Sequence, residues 1–139
     1  MSDTKDKKIG FIGLGVMGHS MAGHLLENGY EMRVYTRTKE KADDLTAKGA
    51  VWCDTVAELA VASDIVITIV GYPADVEEVY LGEAGILENA APGTLAVDMT
   101  TSDPGLAERL WAAGNDKGIH VLDAPVSGGD LGARNATLS

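Results

Sequence analysis

An apolar run near the start of the chain leads directly into three closely spaced glycines. Residues 9–12 are Ile-Gly-Phe-Ile, and Gly13, Gly15 and Gly18 follow in a Gly-x-Gly-x-x-Gly pattern. After the glycines, apolar side chains recur at helical spacing. A strand, a glycine turn and a helix in this order are typical of the pyrophosphate site of dinucleotide-binding proteins. The segment therefore predicts such a site.

The three glycines are expected to have separate roles. Gly13 permits a tight turn out of the strand, Gly15 lets the backbone approach the pyrophosphate, and Gly18 lets the helix pack close to the sheet. The N-terminus of that helix would offer N–H groups and a positive dipole to the anion. The other residues of the loop would line it with apolar atoms: Leu14, Val16 and Met17. The alternative is a plain strand–helix turn that needs a positive φ, but the agreement of strand, glycines and helix favours binding.

Strand and helix patterns alternate along the rest of the chain. Strands are predicted over residues 8–12, 31–35, 50–53, 64–70, 94–98 and 118–123. The helices between them are predicted over residues 16–28, 38–48, 55–62, 74–81 and 104–113. Strands separated by helices predict right-handed βαβ units and a parallel sheet. The fold class is therefore α/β: a doubly wound, mostly parallel Rossmann-type sheet with helices on both faces, in the strand order 3-2-1-4-5-6.

The two ends of the chain differ from this alternating part. Residues 1–7 are rich in charge and are expected to form a flexible N-terminal tail, whereas residues 8–139 are expected to form one NAD(P)-binding domain. The segment after Asp123 is rich in glycine and small residues and leads toward a further element. We therefore expect the domain to be incomplete at its C-terminus, without its final strands and a following all-helical domain. A natural disordered tail is the alternative.

The charge balance of the chain limits its partners. The 21 acidic and 11 basic residues give a formal charge of −10. Because an acidic chain repels nucleic acid and anionic membranes, neither is expected as a partner. Cys53 is the only cysteine, which excludes an internal disulfide, suits the reducing cytoplasm and is more typical of a small core residue than of a nucleophile. No signal peptide, membrane-length apolar stretch or metal site is predicted.

The end of the second predicted strand indicates which dinucleotide is expected. Sites for NAD usually carry Asp or Glu about 20 residues past the glycines, where the carboxylate binds the ribose 2′-hydroxyl. Here the strand leads into Thr36, Arg37 and Thr38, with no acid among them. A guanidinium can bind a 2′-phosphate bidentately, so NADP is predicted in preference to NAD. The alternative, a solvated start of an amphipathic helix, accounts for Lys39 and Lys41 but less well for Arg37.

The loop after the fourth predicted strand would lie beside the adenosine half of the cofactor. In a doubly wound sheet this loop belongs to the carboxyl edge, where ligands bind. Tyr72 or Val76 is expected to pack on the adenine face, and Pro73 to open the next helix. An ordinary loop and helix cap explains each of these residues about equally well. The cofactor-binding residues predicted here are Val70, Gly71, Tyr72, Pro73 and Val76.

Four segments, residues 11–18, 35–38, 97–101 and 123–129, together resemble a known family. They are similar to the β-hydroxyacid dehydrogenases, which include 3-hydroxyisobutyrate dehydrogenase, tartronate semialdehyde reductase and the glyoxylate/succinic semialdehyde reductases. Residues 11–18 resemble the glycine turn of that family, and residues 35–38 resemble the Asn-Arg-Thr element of its NADP-dependent members. Residues 97–101 resemble its Asp-Met-Ser-Thr segment. Residues 123–129, Asp-Ala-Pro-Val-Ser-Gly-Gly, match its substrate-binding loop at every position. The last motif is much more specific than the glycine turn, and the resemblance covers roughly residues 8–139.

This resemblance implies hydride transfer between NADP(H) and a small 3-hydroxy acid or semialdehyde. Ser127 and the N–H groups around Gly128 and Gly129 would bind the substrate carboxylate. Thr100 and Thr101 would orient the nicotinamide. The family's general acid is a lysine that is expected beyond Ser139, so no catalytic residue is expected within the chain, which alone should bind cofactor without turnover. Members of the family dimerise through their helical domain, so the full-length protein is expected to be a homo-oligomer.

Two other functions stay open at this point. An imine reductase resembles these enzymes through the first four strands, but a carboxylate-binding loop at residues 123–129 does not suit a cyclic imine. A non-catalytic dinucleotide sensor or interaction module is the other alternative, because the family includes such members. A lysine at the catalytic position beyond residue 139 would indicate an enzyme, whereas methionine or asparagine there would indicate a sensor.

Overall fold

Strands and helices alternate through residues 7–70, 73–99 and 104–124, which the computed structural model describes. The strands are β1 (Lys8–Ile12), β2 (Glu31–Tyr35), β3 (Val51–Trp52), β4 (Ile65–Thr68), β5 (Leu95–Asp98) and β6 (His120–Asp123). The helices are α1 (Val16–Glu27), α2 (Asp43–Ala47), α3 (Val56–Ala62), α4 (Pro73–Leu81), α5 (Ile86–Asn89) and α6 (Pro104–Asp116). None of the helices in these ranges is long and apolar enough to cross a membrane.

The strands of the described residues form one parallel sheet in the order β3-β2-β1-β4-β5-β6. The predicted α/β class, doubly wound topology and strand order are therefore confirmed. β1 lies at the centre, where Gly10 pairs with Arg33 of β2 on one side and with Val66 of β4 on the other. Because strands are added in opposite directions on the two sides of β1, a crevice opens beyond its carboxyl end.

Apolar side chains cover both faces of the sheet. On one face, Phe11 of β1 belongs to a buried cluster with Ala22 of α1 and Leu45 of α2. On the other face, Val66 of β4 belongs to a second cluster with residues of α3, α4, α5 and α6, among them Leu59. Helices on both faces are what a nearly continuous β-branched run such as that of β4 predicts, since its side chains alternate between the two faces.

Several element boundaries differ from the predictions. The helix predicted over residues 38–48 consists of a 3-10 turn over Lys39–Ala42 followed by the short α2. The strands predicted over residues 50–53 and 64–70 are shorter, and residues 69 and 70 instead leave the sheet and line a cavity. Helix α5 was not predicted, because one helical turn is too short to show a periodic pattern. Its Ile86 and Leu87 are nonetheless buried in the core.

Helix α6 continues to Asp116, past its predicted end at residue 113. Gly114 lies inside the helix, although glycine after a helical run usually indicates a helix end. A β-carbon at this position would lie 2.6 Å from Cγ2 of Val121 and 2.9 Å from the carbonyl oxygen of Ile119. The glycine therefore permits close packing of α6 on β6 and does not end the helix.

The single cysteine lies in the core, as predicted. Cys53 is only 3% exposed and belongs to the cluster that covers the α3 face of the sheet. Burial raises the pKa of its thiol, and the negative charge of Glu58 raises it further. A thiol with a raised pKa is a poor nucleophile at neutral pH, which agrees with a structural role.

Candidate dinucleotide-binding site

A cavity of about 520 Å³ opens at the carboxyl ends of β1, β2 and β4. It lies where the strand order reverses, which is the usual ligand site of an open α/β sheet. Three segments line it: the glycine turn, the residues that follow β2, and the residues that follow β4 together with α4. The lining residues are Ile12, Gly13, Leu14, Gly15, Gly18, Tyr35, Thr36, Arg37, Thr38, Lys41, Ile69, Val70, Asp75 and Val79.

The glycine turn fits the separate roles expected of its three glycines. Gly13 has a φ of 94°, and its N–H donates to the carbonyl of Tyr35 at 2.9 Å, which holds the turn against the end of β2. A β-carbon at Gly18 would overlap the carbonyl oxygen of Gly13, so only glycine lets α1 pack this closely. A β-carbon at Gly15 would meet nothing within 4 Å. Gly15 therefore borders the open space where a pyrophosphate would approach the backbone.

Helix α1 presents its N-terminus to this open space. Its N-cap residue is Gly15, and no side chain accepts a hydrogen bond there from the helix. By helix geometry, the first N–H groups have no acceptor within the helix, and they carry the positive end of the helix dipole. The first turn also contains no acidic residue that would repel an anion. The side chains of Val16 and Met17 lie outside the described part of the structure, so their predicted contacts stay predictions.

The segment after β2 lines the other end of the cavity. Thr36, Arg37 and Thr38 all contribute to it, as does Lys41 from the 3-10 turn. The sequence pattern assigned Lys41 only to the solvated side of a helix. Lys41 is exposed as expected, but it also lines the cavity, and no local pattern indicates this placement.

The neighbouring Lys39 lies elsewhere. Its ammonium group lies over the ring of Trp52, 5.7 Å from the centroid. That ring in turn stacks on Tyr35 with 5.9 Å between the centroids. Of the two lysines that follow the threonine-flanked Arg37, only Lys41 therefore lines the cavity.

Arg37 is held by acidic residues of helix α4. Its Nη2 donates a hydrogen bond of 2.6 Å to Oδ1 of Asp75 and lies 3.7 Å from Oε2 of Glu78. The hydrogen bond and the charge of Asp75 raise the pKa of Arg37, which is a cation at any physiological pH. The sequence showed no acid at the end of β2, but the fold brings one to that edge from another element.

The contacts predicted from the fourth loop need one correction. Val70 lines the cavity as expected. Val76 does not, because its side chain is completely buried in the core beside Tyr80, on the inner face of α4. Val79 lines the cavity in its place. The side chain of Pro73, which begins α4, and the residues Gly71 and Tyr72 lie outside the described part of the structure.

The predicted substrate end of the site also lies outside the described residues. Thr100 and Thr101 follow β5 in sequence, and Ser127, Gly128 and Gly129 follow β6. β5 ends at the buried Asp98, and the Met99 N–H donates to the Thr68 carbonyl at 2.8 Å. Because the sheet is parallel, β5 and β6 end at the same edge as β1, which is the edge that carries the cavity.

A family model described as the NAD binding domain of 6-phosphogluconate dehydrogenase matches residues 8–139. The chain belongs to this family. The matched range is the range over which the resemblance to the β-hydroxyacid dehydrogenases was predicted, and curated relatives of the chain include probable 3-hydroxyisobutyrate dehydrogenase-like proteins. The predicted family is therefore confirmed.

Curated relatives agree with this assignment. An uncharacterized oxidoreductase of Bacillus subtilis is 59% identical over 133 residues, which cover 96% of this chain and 46% of the relative. A probable 3-hydroxyisobutyrate dehydrogenase-like protein of Arabidopsis thaliana is 51% identical over 133 residues, covering 95% and 40%. An NAD-dependent L-serine dehydrogenase of Pseudomonas aeruginosa is 40% identical, covering 96% and 45%. The NAD-binding domain described here thus spans less than half the length of these relatives.

Solved structures share the fold, and the chain again covers less than half of each of them. Psf3 in complex with NADP+ and 2-OPP matches with a TM-score of 0.88 and 36% identity, covering 94% of this chain and 46% of that one. A 3-hydroxyisobutyrate dehydrogenase of Mycobacterium tuberculosis with L-serine matches with a TM-score of 0.87 and 32% identity, covering 95% and 44%. An imine reductase of Myxococcus stipitatus with NADP+ matches with a TM-score of 0.82 and 27% identity, covering 90% and 43%.

Proposed function

We propose that this chain binds NADP in preference to NAD, as the cofactor domain of an enzyme that transfers a hydride between NADP(H) and a small 3-hydroxy acid or its semialdehyde. The observation that carries the proposal is the composition of the cavity. A glycine turn at a helix N-terminus lies at one end, and Arg37 with two threonines and Lys41 lies at the other. The first end suits a pyrophosphate and the second suits a phosphate on the adenosine ribose.

The pyrophosphate would be held by backbone groups. The open space beside Gly15 is where a β-carbon would otherwise stand, so the N–H groups at the start of α1 can approach the anion directly. Net charge cannot provide the attraction, because the chain is strongly acidic. Binding would therefore depend on local hydrogen bonds and on the helix dipole.

The 2′-phosphate of NADP would be recognised by side chains of the segment after β2. Arg37 offers a planar fork of donors, and the hydroxyls of Thr36 and Thr38 can donate as well. Lys41 adds a second positive charge at the cavity. The adenine would lie against the apolar side of α4, where Val79 lines the wall.

The reacting end of the site would be formed by segments that follow β5 and β6. The bound nicotinamide would exchange a hydride between its C4 atom and the substrate carbon that bears the hydroxyl or carbonyl oxygen. In this proposal Thr100 and Thr101 orient the nicotinamide. Ser127 and the backbone around Gly128 and Gly129 bind the substrate carboxylate, and a lysine beyond Ser139 is the general acid.

The alternative of an imine reductase has weaker support. The imine reductase structure is similar at a lower identity and TM-score than the 3-hydroxyisobutyrate dehydrogenase structure. The Ser-Gly-Gly segment at residues 127–129 also suits a carboxylate, which a cyclic imine does not carry. Both arguments favour the hydroxy acid as the substrate class.

Cofactor preference can be tested by fluorescence titration of the chain with NADPH and with NADH at one ionic strength. Arg37→Ala should raise the dissociation constant of NADPH by about tenfold or more, because a charge-assisted bond to phosphate is lost, and should change that of NADH much less. Arg109→Ala is the matched control, since Arg109 pairs with Glu77 on the surface, outside the cavity lining. Equal weakening of both cofactors by Arg37→Ala would contradict the NADP assignment.

A further inference from the structure

The strongest partner of Arg37 comes from helix α4. Asp75 lies in the first turn of that helix, 38 residues away in sequence, and accepts a hydrogen bond of 2.6 Å from Nη2 of Arg37. The carboxylate of Glu78 is 3.7 Å from the same nitrogen. The side chain of Asp75 is only 21% exposed, whereas that of Glu78 is 77% exposed and therefore largely screened by water. Asp75 is thus the main electrostatic partner of the guanidinium.

The position of Asp75 has different consequences for the two cofactors. Asp75 and Arg37 both line the cavity, so a 2′-phosphate that binds Arg37 would stand close to a carboxylate of the same sign. Like charges in such a site repel each other, and the phosphate must also compete for the donors that Asp75 already uses. A 2′-hydroxyl carries no charge, so neither effect acts on NAD.

We propose that Asp75 is a specificity residue of the cofactor site. It acts through Arg37 and reduces the factor by which the chain binds NADP more tightly than NAD. It competes with the 2′-phosphate for the guanidinium and leaves the pyrophosphate end of the cavity unaffected. This proposal rests on the proposed NADP preference. Cofactor selection would then depend on a residue of α4 as well as on the segment after β2.

A purely structural role for Asp75 makes a different prediction. A carboxylate in the first turn of a helix interacts favourably with the helix dipole, so its loss could lower the stability of the chain. Such an effect would act on the folded chain as a whole. It would not change the ratio of the NADPH and NADH dissociation constants, and it would not depend on Arg37.

Substitutions that remove the charge of Asp75 distinguish the specificity role from a purely structural role. Asp75→Asn keeps the size of the side chain and one acceptor, and Asp75→Ser provides a second uncharged variant that suits a helix start. Each should lower the dissociation constant of NADPH about five- to tenfold and leave that of NADH within about twofold, measured by fluorescence titration at low salt. Glu77→Gln is the matched control, because it removes the same charge from the same helix where the carboxylate pairs with Arg109 at 3.3 Å. It should change neither constant.

The titrations are repeated in an Arg37→Ala background, with a thermal melt for every variant. Asp75→Asn should then tighten NADPH binding much less than it does in the original chain, since the competition for the guanidinium is gone and only the direct repulsion of the phosphate remains. An unchanged NADPH-to-NADH ratio in the single variants, or the same tightening of NADPH without Arg37, would overturn the role of Asp75 and leave the cofactor assignment intact. If the unmodified chain bound neither dinucleotide, or if Arg37→Ala left NADPH binding unchanged, the proposed function would fail and this proposal with it.

Discussion

Gly18 packs against Gly13 so closely that a β-carbon on Gly18 would overlap the carbonyl oxygen of Gly13. The same β-carbon would lie 2.8 Å from Cγ2 of Ile69, which belongs to the segment after β4. Since the N–H of Gly13 donates to the Tyr35 carbonyl at 2.9 Å, the turn is held against β2 and cannot easily move away. The contact therefore links the shape of the glycine turn to the position of α1 on the sheet.

Gly18→Ala should destabilise the chain and weaken cofactor binding together. The added methyl group must displace either α1 or the turn, which costs about 1–3 kcal/mol of the free energy of unfolding. The same displacement would move the helix N-terminus away from the proposed position of the pyrophosphate. Urea denaturation and NADPH titration measure the two effects.

Gly23→Ala is the control for this substitution. It lies in the same helix, but a β-carbon there would meet only Cδ2 of Leu45, at an ordinary 3.9 Å. Because alanine favours a helix more than glycine does, this variant should be as stable as the original chain or more stable by up to about 1 kcal/mol. If Gly18→Ala also left the free energy of unfolding unchanged or raised it, the close contact with Gly13 would not limit the residue at position 18.

Gly15→Ala should separate binding from stability. Gly15 has a φ of −69° and a ψ of −169°, which alanine can adopt, and its β-carbon would enter open space. We expect the free energy of unfolding to change by less than about 1 kcal/mol, since only a modest N-cap preference is lost. The dissociation constant of NADPH should nevertheless rise at least about tenfold, because the methyl group would occupy the approach of the pyrophosphate. Unchanged binding of NADPH would show that the anion does not approach the chain at this residue.

Cys53 should stay protonated in the folded chain at alkaline pH. Burial raises the pKa of its thiol above the ordinary value of 9.0, so the folded chain keeps a proton that the unfolded chain loses. More protons are then bound in the folded state, and the free energy of unfolding contributed by this group falls as the pH rises through 9.0. The decline in stability above this pH should therefore be steeper for the original chain than for Cys53→Ala, as measured by urea denaturation at several pH values.

Alkylation provides a second measurement on the same thiol. Iodoacetamide should modify Cys53 at least about tenfold more slowly in the folded chain than in urea, because reaction requires local opening of the core. Equal rates in the two states would contradict the buried position of the side chain.

The sequence was sufficient to predict the secondary structure elements of this domain and the topology of its sheet. Alternating strand and helix patterns are local, and their order along the chain leaves few topologies once crossovers must be right-handed. The strand order and the glycine turn followed from these rules. The positive φ of Gly13 and the close packing at Gly18 were predictable for the same reason, since a backbone turn is determined by a few adjacent residues.

Contacts between elements required the tertiary structure. The rotation of α4 about its own axis decides that Val79 and Asp75 line the cavity and that Val76 is buried, and a difference of one residue changes which face a side chain occupies. The distance of 38 residues between Arg37 and Asp75 likewise leaves no local pattern. The sequence by itself therefore determined where the glycine turn meets the N-terminus of α1, whereas the packing of α4 against the end of β2 decided which charges surround the cavity.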